Sequence, residues 1–363
     1  MLFLRNVNQS LLANKHLKNA AAILLSIAAA SCSAQPTPAE VTAAKRPAHH
    51  TDNGFKNPYL EGEINPGALA FFKARFFDDL NWPDEPQNYR EFWQAADEDL
   101  IHSHIEKPRA TLLGHSTVLL QYKGLNILTD PMFSERAFPV QFAGPKRYTP
   151  LALKAEQLPD IDVIVISHNH YDHLDVDSIY TLGNAPLWLV PLGLKSWFKD
   201  LGITNIKEMD WWDSHHIDDL TITAMPSQHW SRRGLFDMNQ SLWASWGFQW
   251  PDFTSWFGGD TGYNDIQFKE IGEALGTIDL AMIPIGAYEP RWFMKNQHAN
   301  PTDAVKIFQD LNAKEAFGIH WNSFVLTAEP IDEPARALAL ALQKQDIDEN
   351  RFKAMWIGRT WQP

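Results

Sequence analysis

Four side chains of metal-binding type fall within six residues of this 363-residue chain: His168, His170, Asp172 and His173, in the stretch HNHYDHLD. They follow residues 163–166, Val-Ile-Val-Ile, a β-branched run bounded by Asp162 and Ser167 that predicts a buried strand. The histidines therefore sit on the loop after that strand, where residues two apart can face the same way. His168 and His170 can converge on one cation while Asp172 and His173 reach a neighbouring one. Zinc takes about four N, O or S donors at roughly 2.0 to 2.3 Å, so the remaining donors must come from elsewhere in the chain. Each candidate again closes a predicted strand: His229 after 220–224, Asp260 after 254–257 and His320 after 316–319.

The HxHxDH pattern resembles that of the metallo-β-lactamase fold superfamily, which implies an α+β architecture, a four-layer αββα sandwich. By that resemblance His168, His170 and His229 hold a first zinc, Asp172, His173 and His320 hold a second, and Asp260 bridges the two. Any one histidine at a strand end is more often structural than a ligand; the whole set in this order reverses those odds. The implied cofactor is two Zn2+ per chain, with iron or manganese acceptable to the same imidazole and carboxylate donors. Around these residues the likeness narrows to the N-acylphosphatidylethanolamine-hydrolysing phospholipase D family, over about residues 54 to 361. It is carried by GFKNPY, DPMFSERAFPVQFAGPKRY, MDWWD, PSQHWSRRGLFDMNQSLWASWGFQW, WFGGDTGYND, GAYEPRWFMKNQHANPTDAV and GIHWNSF. Asn322-Ser323 after His320-Trp321, and the N-terminus, depart from the pattern.

Two zinc ions about 3.5 to 4 Å apart would supply a nucleophile near neutral pH and clamp an anionic oxygen in the transition state. Asp172 is placed to orient the attacking water and take its proton, or to act as a plain ligand. Gln297 and His298 match residues that line the family's active site, with His298 a candidate catalytic group, and Tyr171 matches one beside the metals. Asn300, Pro301 and Asp303 read as N-cap, first and third residues of a helix, whose positive end favours an anion such as a substrate phosphate.

The remaining histidines receive plainer readings. His215 and His216 lie in a polar turn, DSHHIDD, and His49, His50, His102 and His104 lie in the polar N-terminal third. His115, in LLGHSTVLL, reads as a structural or supporting residue of an early core strand. Asp130, in ILTDP, either orients a ligand histidine or simply ends a strand. Trp230, Trp243, Trp246, Trp250 and Trp256, five of fifteen tryptophans, crowd one stretch where core packing should claim at least half. ALAFFKARFF has helical spacing and would line an acyl groove or pack on the sandwich.

Arg5, Lys15 and Lys18 precede the apolar run 20–30, which has signal-peptide proportions and is short for a membrane span. Cys32, the only cysteine, closes that run in AASC, which resembles a lipobox with Ala29 in place of leucine. The expectation is an exported protein of the periplasm or cell envelope, lipid-anchored through Cys32. Residues 1–32 then form the leader, 33–53 a flexible spacer, and 54–363 one hydrolase domain with an N-terminal extension to about 105. Loss of the leader removes three positive charges and no acids, taking the formal charge from −13 to −16. Such acidity argues against a nucleic-acid partner, whose phosphates need Lys and Arg. Phospholipid substrate and membrane are the partners implied, and a homodimer is left open. The function expected is phosphodiester cleavage in an N-acylated phosphatidylethanolamine; a lactonase or phosphodiesterase acting on a soluble substrate is the rival.

Overall fold

The computed structural model describes residues 46–61, 64, 83 and 90–363. The leader, Cys32, the spacer up to residue 45 and ALAFFKARFF lie outside the described residues. Short strands β1 (His50–Thr51) and β2 (Gly54–Phe55) pair as a hairpin, so residues that composition assigns to a spacer are ordered structure from about 47 onward. Composition misses this because the hairpin is held by contacts to distant residues. The Phe55 N–H donates to the Asn239 carbonyl at 2.9 Å, and His49 and His50 both reach Asp210.

After α1 (Glu98–His102) come β3 (Arg109–Gly114), β4 (Thr117–Tyr122) and β5 (Leu125–Thr129), an antiparallel meander. The strands β6 (Val163–Val165), β7 (Leu187–Pro191) and β8 (Ile206–Met209) join it in parallel, with α2 (Val176–Leu182) and α3 (Lys195–Asp200) as the crossovers. A second sheet begins with β9 (Ser214–Ile217), β10 (Leu220–Met225), β11 (Ser245–Gln249) and β12 (Thr254–Phe257), all antiparallel. Helix α4 (Gln267–Leu275) leads to β13 (Ile278–Pro284), and α5 (Arg291–Met294) and α6 (Pro301–Asp310) lead to β14 (Ala313–Ile319). Helix α7 (Glu333–Lys344) leads to β15 (Phe352–Lys353), and the three strands run parallel. Finally β16 (Thr360–Trp361) returns to pair with β3, so each sheet has seven strands among the described residues.

Strand alternation makes both faces of the second sheet apolar. Phe257, Leu280 and Met282 join Leu120, Val165, Ile222 and Trp246 in the core between the sheets. Their neighbours Trp256, Ala281 and Ile283 point the other way and pack with Phe268, Val305, Phe308 and Leu338 of the outer helices. Each fully buried large side chain contributes about 1.5–3 kcal/mol by leaving water. On the first sheet, Ile179 of α2 and Phe198 of α3 cover the far side. The result is the four-layer αββα sandwich.

Of the crowded tryptophans, Trp243, Trp246, Trp250 and Trp256 are buried, while Trp230 is half-buried beside His170. The DSHHIDD segment differs from its turn reading: His215 and His216 lie on the edge strand β9, paired to Ile222 and Thr221. Its alternation of exposed and half-buried residues is what an edge strand needs, and polarity alone resembles a turn. Among the described residues, no helix is long and apolar enough to cross a membrane.

Candidate metal centre

The chain leaves β6 and turns tightly, with the N–H groups of His173 and Leu174 both donating to the His170 carbonyl. Asp175 then caps α2 by accepting from the Ser178 N–H. This turn brings four donor side chains to the C-terminal end of the first sheet. His229 follows β10, Asp260 follows β12 and His320 follows β14, so the second sheet supplies the rest. Gly259 makes the approach feasible: its φ is +55°, and a Cβ there would lie 2.5 Å from the Ser167 Cβ. Gly259→Ala is expected to cost about 1–3 kcal/mol and to drive the two loops apart, read as a lower denaturation midpoint together with lost metal.

Two donor groups result. His168, His170, His229 and Asp260 form one, and Asp172, His173 and His320 form the other together with His115, each group's ligand atoms lying within 4.8 Å of one another. One oxygen of the first group, Asp260 Oδ2, also reaches histidines of the second. It is 3.1 Å from the Nε2 atoms of His173 and His320, 3.8 Å from His168 Nε2 and 3.7 Å from His229 Nε2. Asp172 Oδ2 lies 3.1 Å from His115 Nε2, 3.4 Å from His173 Nε2 and 3.2 Å from His320 Nε2.

The arrangement fits cations better than protons. His170 Nδ1 is 2.8 Å from His168 Nε2 and 3.3 Å from His229 Nε2, and with one proton or one lone pair to offer it cannot make a separate hydrogen bond to each. His173 Nε2 is close to both carboxylates yet aligned for a hydrogen bond with neither, and Asp260 Oδ1 and His170 Nε2 are likewise buried without a hydrogen-bond partner among the described residues. Burial, reinforced by neighbouring imidazoles, holds His168 well below its usual pKa and His170 at about 3; burial also takes His229 to about 4. These rings are neutral, the form that ligates a metal. Burial also pulls on His173 and His320, but Asp260 and Asp172 overcome it, lifting His173 well above its ordinary value and His320 to about 9. Against their own burial, both carboxylates stay ionised, chiefly through His173.

A further layer fixes the donors. Asp130 accepts from His173 Nδ1 at 2.7 Å and from the Ser167 N–H and Oγ–H at 2.7 and 2.6 Å, so it orients a donor histidine. Asp130→Asn is expected to weaken metal retention or turnover by about 10–100-fold, measured by metal content and kcat/KM. The Gln297 carbonyl accepts from His229 Nδ1 at 2.9 Å, and Asn57 Nδ2 donates to the His229 carbonyl at 2.9 Å. The Trp230 ring stands edge-on to His170 at 4.2 Å.

A family model for the beta-lactamase superfamily domain matches residues 125–321. The chain is 43% identical over 267 residues to N-acyl-phosphatidylethanolamine-hydrolyzing phospholipase D 1 of Caenorhabditis elegans, covering 70% of this chain and 75% of that one. It belongs to that phospholipase D family, within the metallo-β-lactamase superfamily. The mitochondrial N-acyl-phosphatidylethanolamine-hydrolyzing phospholipase D of Saccharomyces cerevisiae is 40% identical over 238 residues, 63% of this chain and 51% of the yeast protein. The chain thus spans about half the length of that relative. An isothiocyanate hydrolase from Delia radicum gut bacteria shares the fold, with a TM-score of 0.58 at 20% identity, over 70% of this chain and all of that one (100%). Family and donor set together make this chain a metal-dependent hydrolase.

In this phospholipase D family member the other expected site residues differ in placement. His298 is buried with Nδ1 4.0 Å from Asp260 Oδ2, and it forms a third donor group with Asp260 and His320. Burial holds its ring neutral, well below its ordinary pKa. The side chain of Gln297 points its Nε2 at Met294 Sδ, and it is the backbone carbonyl that serves the site. The Tyr171 hydroxyl donates to the Arg233 carbonyl at 2.7 Å, and the Arg233 guanidinium lies 4.2 Å from its ring centre. These two residues border a cleft of about 500 Å³ with Asn169 and Trp197.

His115, which the sequence marks as a structural or supporting residue without naming its partner, is brought against Asp172 by the fold. It sits between β3 and β4 with φ +50°, and its ring joins the Asp172 group. A single turn histidine carries no spacing signal that would have revealed this. Asn57 is a second such case, its one clue being its place in GFKNPY.

Proposed function

We propose that this chain is a zinc-dependent phosphodiester hydrolase of phospholipase D type, cleaving N-acylphosphatidylethanolamine-like phospholipids to phosphatidate and an N-acylethanolamine. The observation that carries the proposal is the single Asp260 oxygen lying within 3.1 to 3.8 Å of histidines from two donor groups, in a chain 43% identical to a relative named for that reaction. His168, His170 and His229 would hold one cation, Asp172, His173 and His320 the other, with Asp260 between. Bound there, two divalent cations acidify water and place positive charge on the phosphoryl oxygens.

The side chains do the rest. Asp172 orients the attacking water and takes its proton at a carboxylate oxygen. The water oxygen bonds to phosphorus, the bond from phosphorus to the ethanolamide oxygen breaks, and that oxygen leaves as the alcohol with the proton that Asp172 took from the water. His298, neutral and beside Asp260, donates a ring N–H to a phosphoryl oxygen. The first turn of α6, two residues on, has Asn300 accepting from the Asp303 N–H and Pro301 at its start, and its positive end favours the same anion. We further propose export, with a lipid on Cys32 holding the enzyme at its substrate's surface; mass spectrometry of the membrane-extracted protein would find the acylated cysteine.

The test is release of N-acylethanolamine from vesicles of defined phospholipid, before and after chelation and after zinc is restored. Loss on chelation and recovery with zinc are expected. Turnover that survives chelation overturns the metal reading, and turnover of soluble diesters with none on vesicles moves the substrate to the soluble class.

A further inference from the structure

A second histidine–carboxylate cluster shares no residue with the centre described above. His49 Nε2 lies 2.7 Å from Asp210 Oδ1, and His50 Nε2 lies 2.8 Å from Asp210 Oδ2. We infer that His49, His50 and Asp210 form an additional site for a zinc-class divalent cation, one that pins the hairpin of residues 47–55 to the edge of the first sheet.

The donors converge from separate parts of the chain. Asp210 follows β8, the edge strand, and the two histidines lie some 160 residues earlier. Their three ligand atoms all fall within 4.8 Å of one another. Adjacent residues of a regular strand point to opposite faces. Here the pair straddles the start of β1, so that turn and strand together aim both rings at one carboxylate.

The rings are also held before any ion arrives. His49 stacks on Trp211 with centroids 4.2 Å apart, and His50 stands edge-on to Phe55 at 5.1 Å. The Trp211 N–H donates to Asp210 Oδ1 at 2.8 Å and sets the carboxylate's rotation. Two imidazoles and one carboxylate leave a fourth tetrahedral position for water. Access exists, because the side chains of His50 and Asp210 keep 23% and 22% of their exposure while His49 keeps 8%. Zinc bonds of about 2.0–2.2 Å put tetrahedral donors roughly 3.3 Å apart, so the cluster opens by only about half an ångström as the ion replaces the two bridging protons.

The chemistry has a structural consequence. The Phe55 N–H ties the hairpin to the Asn239 carbonyl, and just beyond it Asn57 supports the carbonyl of His229. An ion at Asp210 therefore steadies a segment that in turn steadies a donor of the catalytic centre.

The experiment uses the full chain, stripped by chelator and then equilibrated by dialysis against Zn2+ alone. Elemental analysis is expected to find one zinc fewer per chain in His50→Gln and in Asp210→Asn than in the wild type. Equal content in all three overturns the site. Hydrogen exchange supplies the second measurement: zinc should slow the amides of residues 47–55 in the wild type and leave them unchanged in His50→Gln. Should either variant fail to fold, an anomalous difference map at the zinc edge from wild-type crystals decides the matter. A peak between the two rings supports the site, and its absence with the catalytic donors filled overturns it.

Discussion

Asp260→Asn is expected to lower turnover by on the order of 10³-fold while the chain still folds, because the change removes the one anion that reaches histidines of both donor groups and almost no volume. The carboxylate is buried, and its Oδ2 lies 3.1 to 3.8 Å from four histidine nitrogens drawn from both sheets. An amide nitrogen or a neutral oxygen in that position balances no cationic charge. Both cations should therefore weaken together, which separates this variant from His229→Ala, where the deficit belongs to one group. The measurement pairs kcat/KM with metal content per chain. Activity within tenfold of wild type, with both ions retained, would remove Asp260 from the bridging role.

Metal affinity is expected to climb steeply with pH through neutrality. In the metal-free chain the ionised Asp172 and Asp260 keep His173 and His320 protonated, with His320 holding its proton up to about pH 9. Two buried carboxylates are thus balanced by two imidazolium ions. Cations must displace those protons, whereas His168, His170 and His229 have none to give up at neutral pH. The sign follows directly: both pKa values are raised in the metal-free fold, so the competing protons are present at low pH and lost as pH rises. Up to about 100-fold in overall affinity per pH unit is expected at neutral pH, with a shallower slope once His320 loses its proton near pH 9. Zinc titrations in buffers of different protonation enthalpy should count close to two protons released at pH 7. A count near zero would show that the rings are neutral before the metal arrives.

The sequence exposes those parts of the centre that repeat a local rule. The run at 163–166, the alternation around 220 and the donors that close each strand all follow from the periodicity of two and from the need to end a strand before a ligand. The cap of α6 reads equally well, since Asn300, Pro301 and Asp303 act within four residues, and the structure has Asn300 accepting from Asp303. What sequence conceals is long-range pairing. His115 reaches Asp172, 57 residues away, from a left-handed turn, and His49 reaches Asp210 across 161 residues. Prolines, alanines and threonines make 33–53 resemble a linker, and polarity makes DSHHIDD resemble a turn. His50–Thr51 and Ser214–Ile217 are nonetheless short strands, ordered by their partners rather than by their own residues.

Because the first sheet contributes His168, His170, Asp172 and His173 and the second contributes His229, Asp260 and His320, neither half of the sandwich owns a complete donor group. Ion capture is then a cross-link between halves, and any motion that slides one sheet over the other must first break it. Chelation should accordingly soften the seam before it softens either sheet, exposing Phe257 and Met282 to solvent earlier than Phe268 or Phe308.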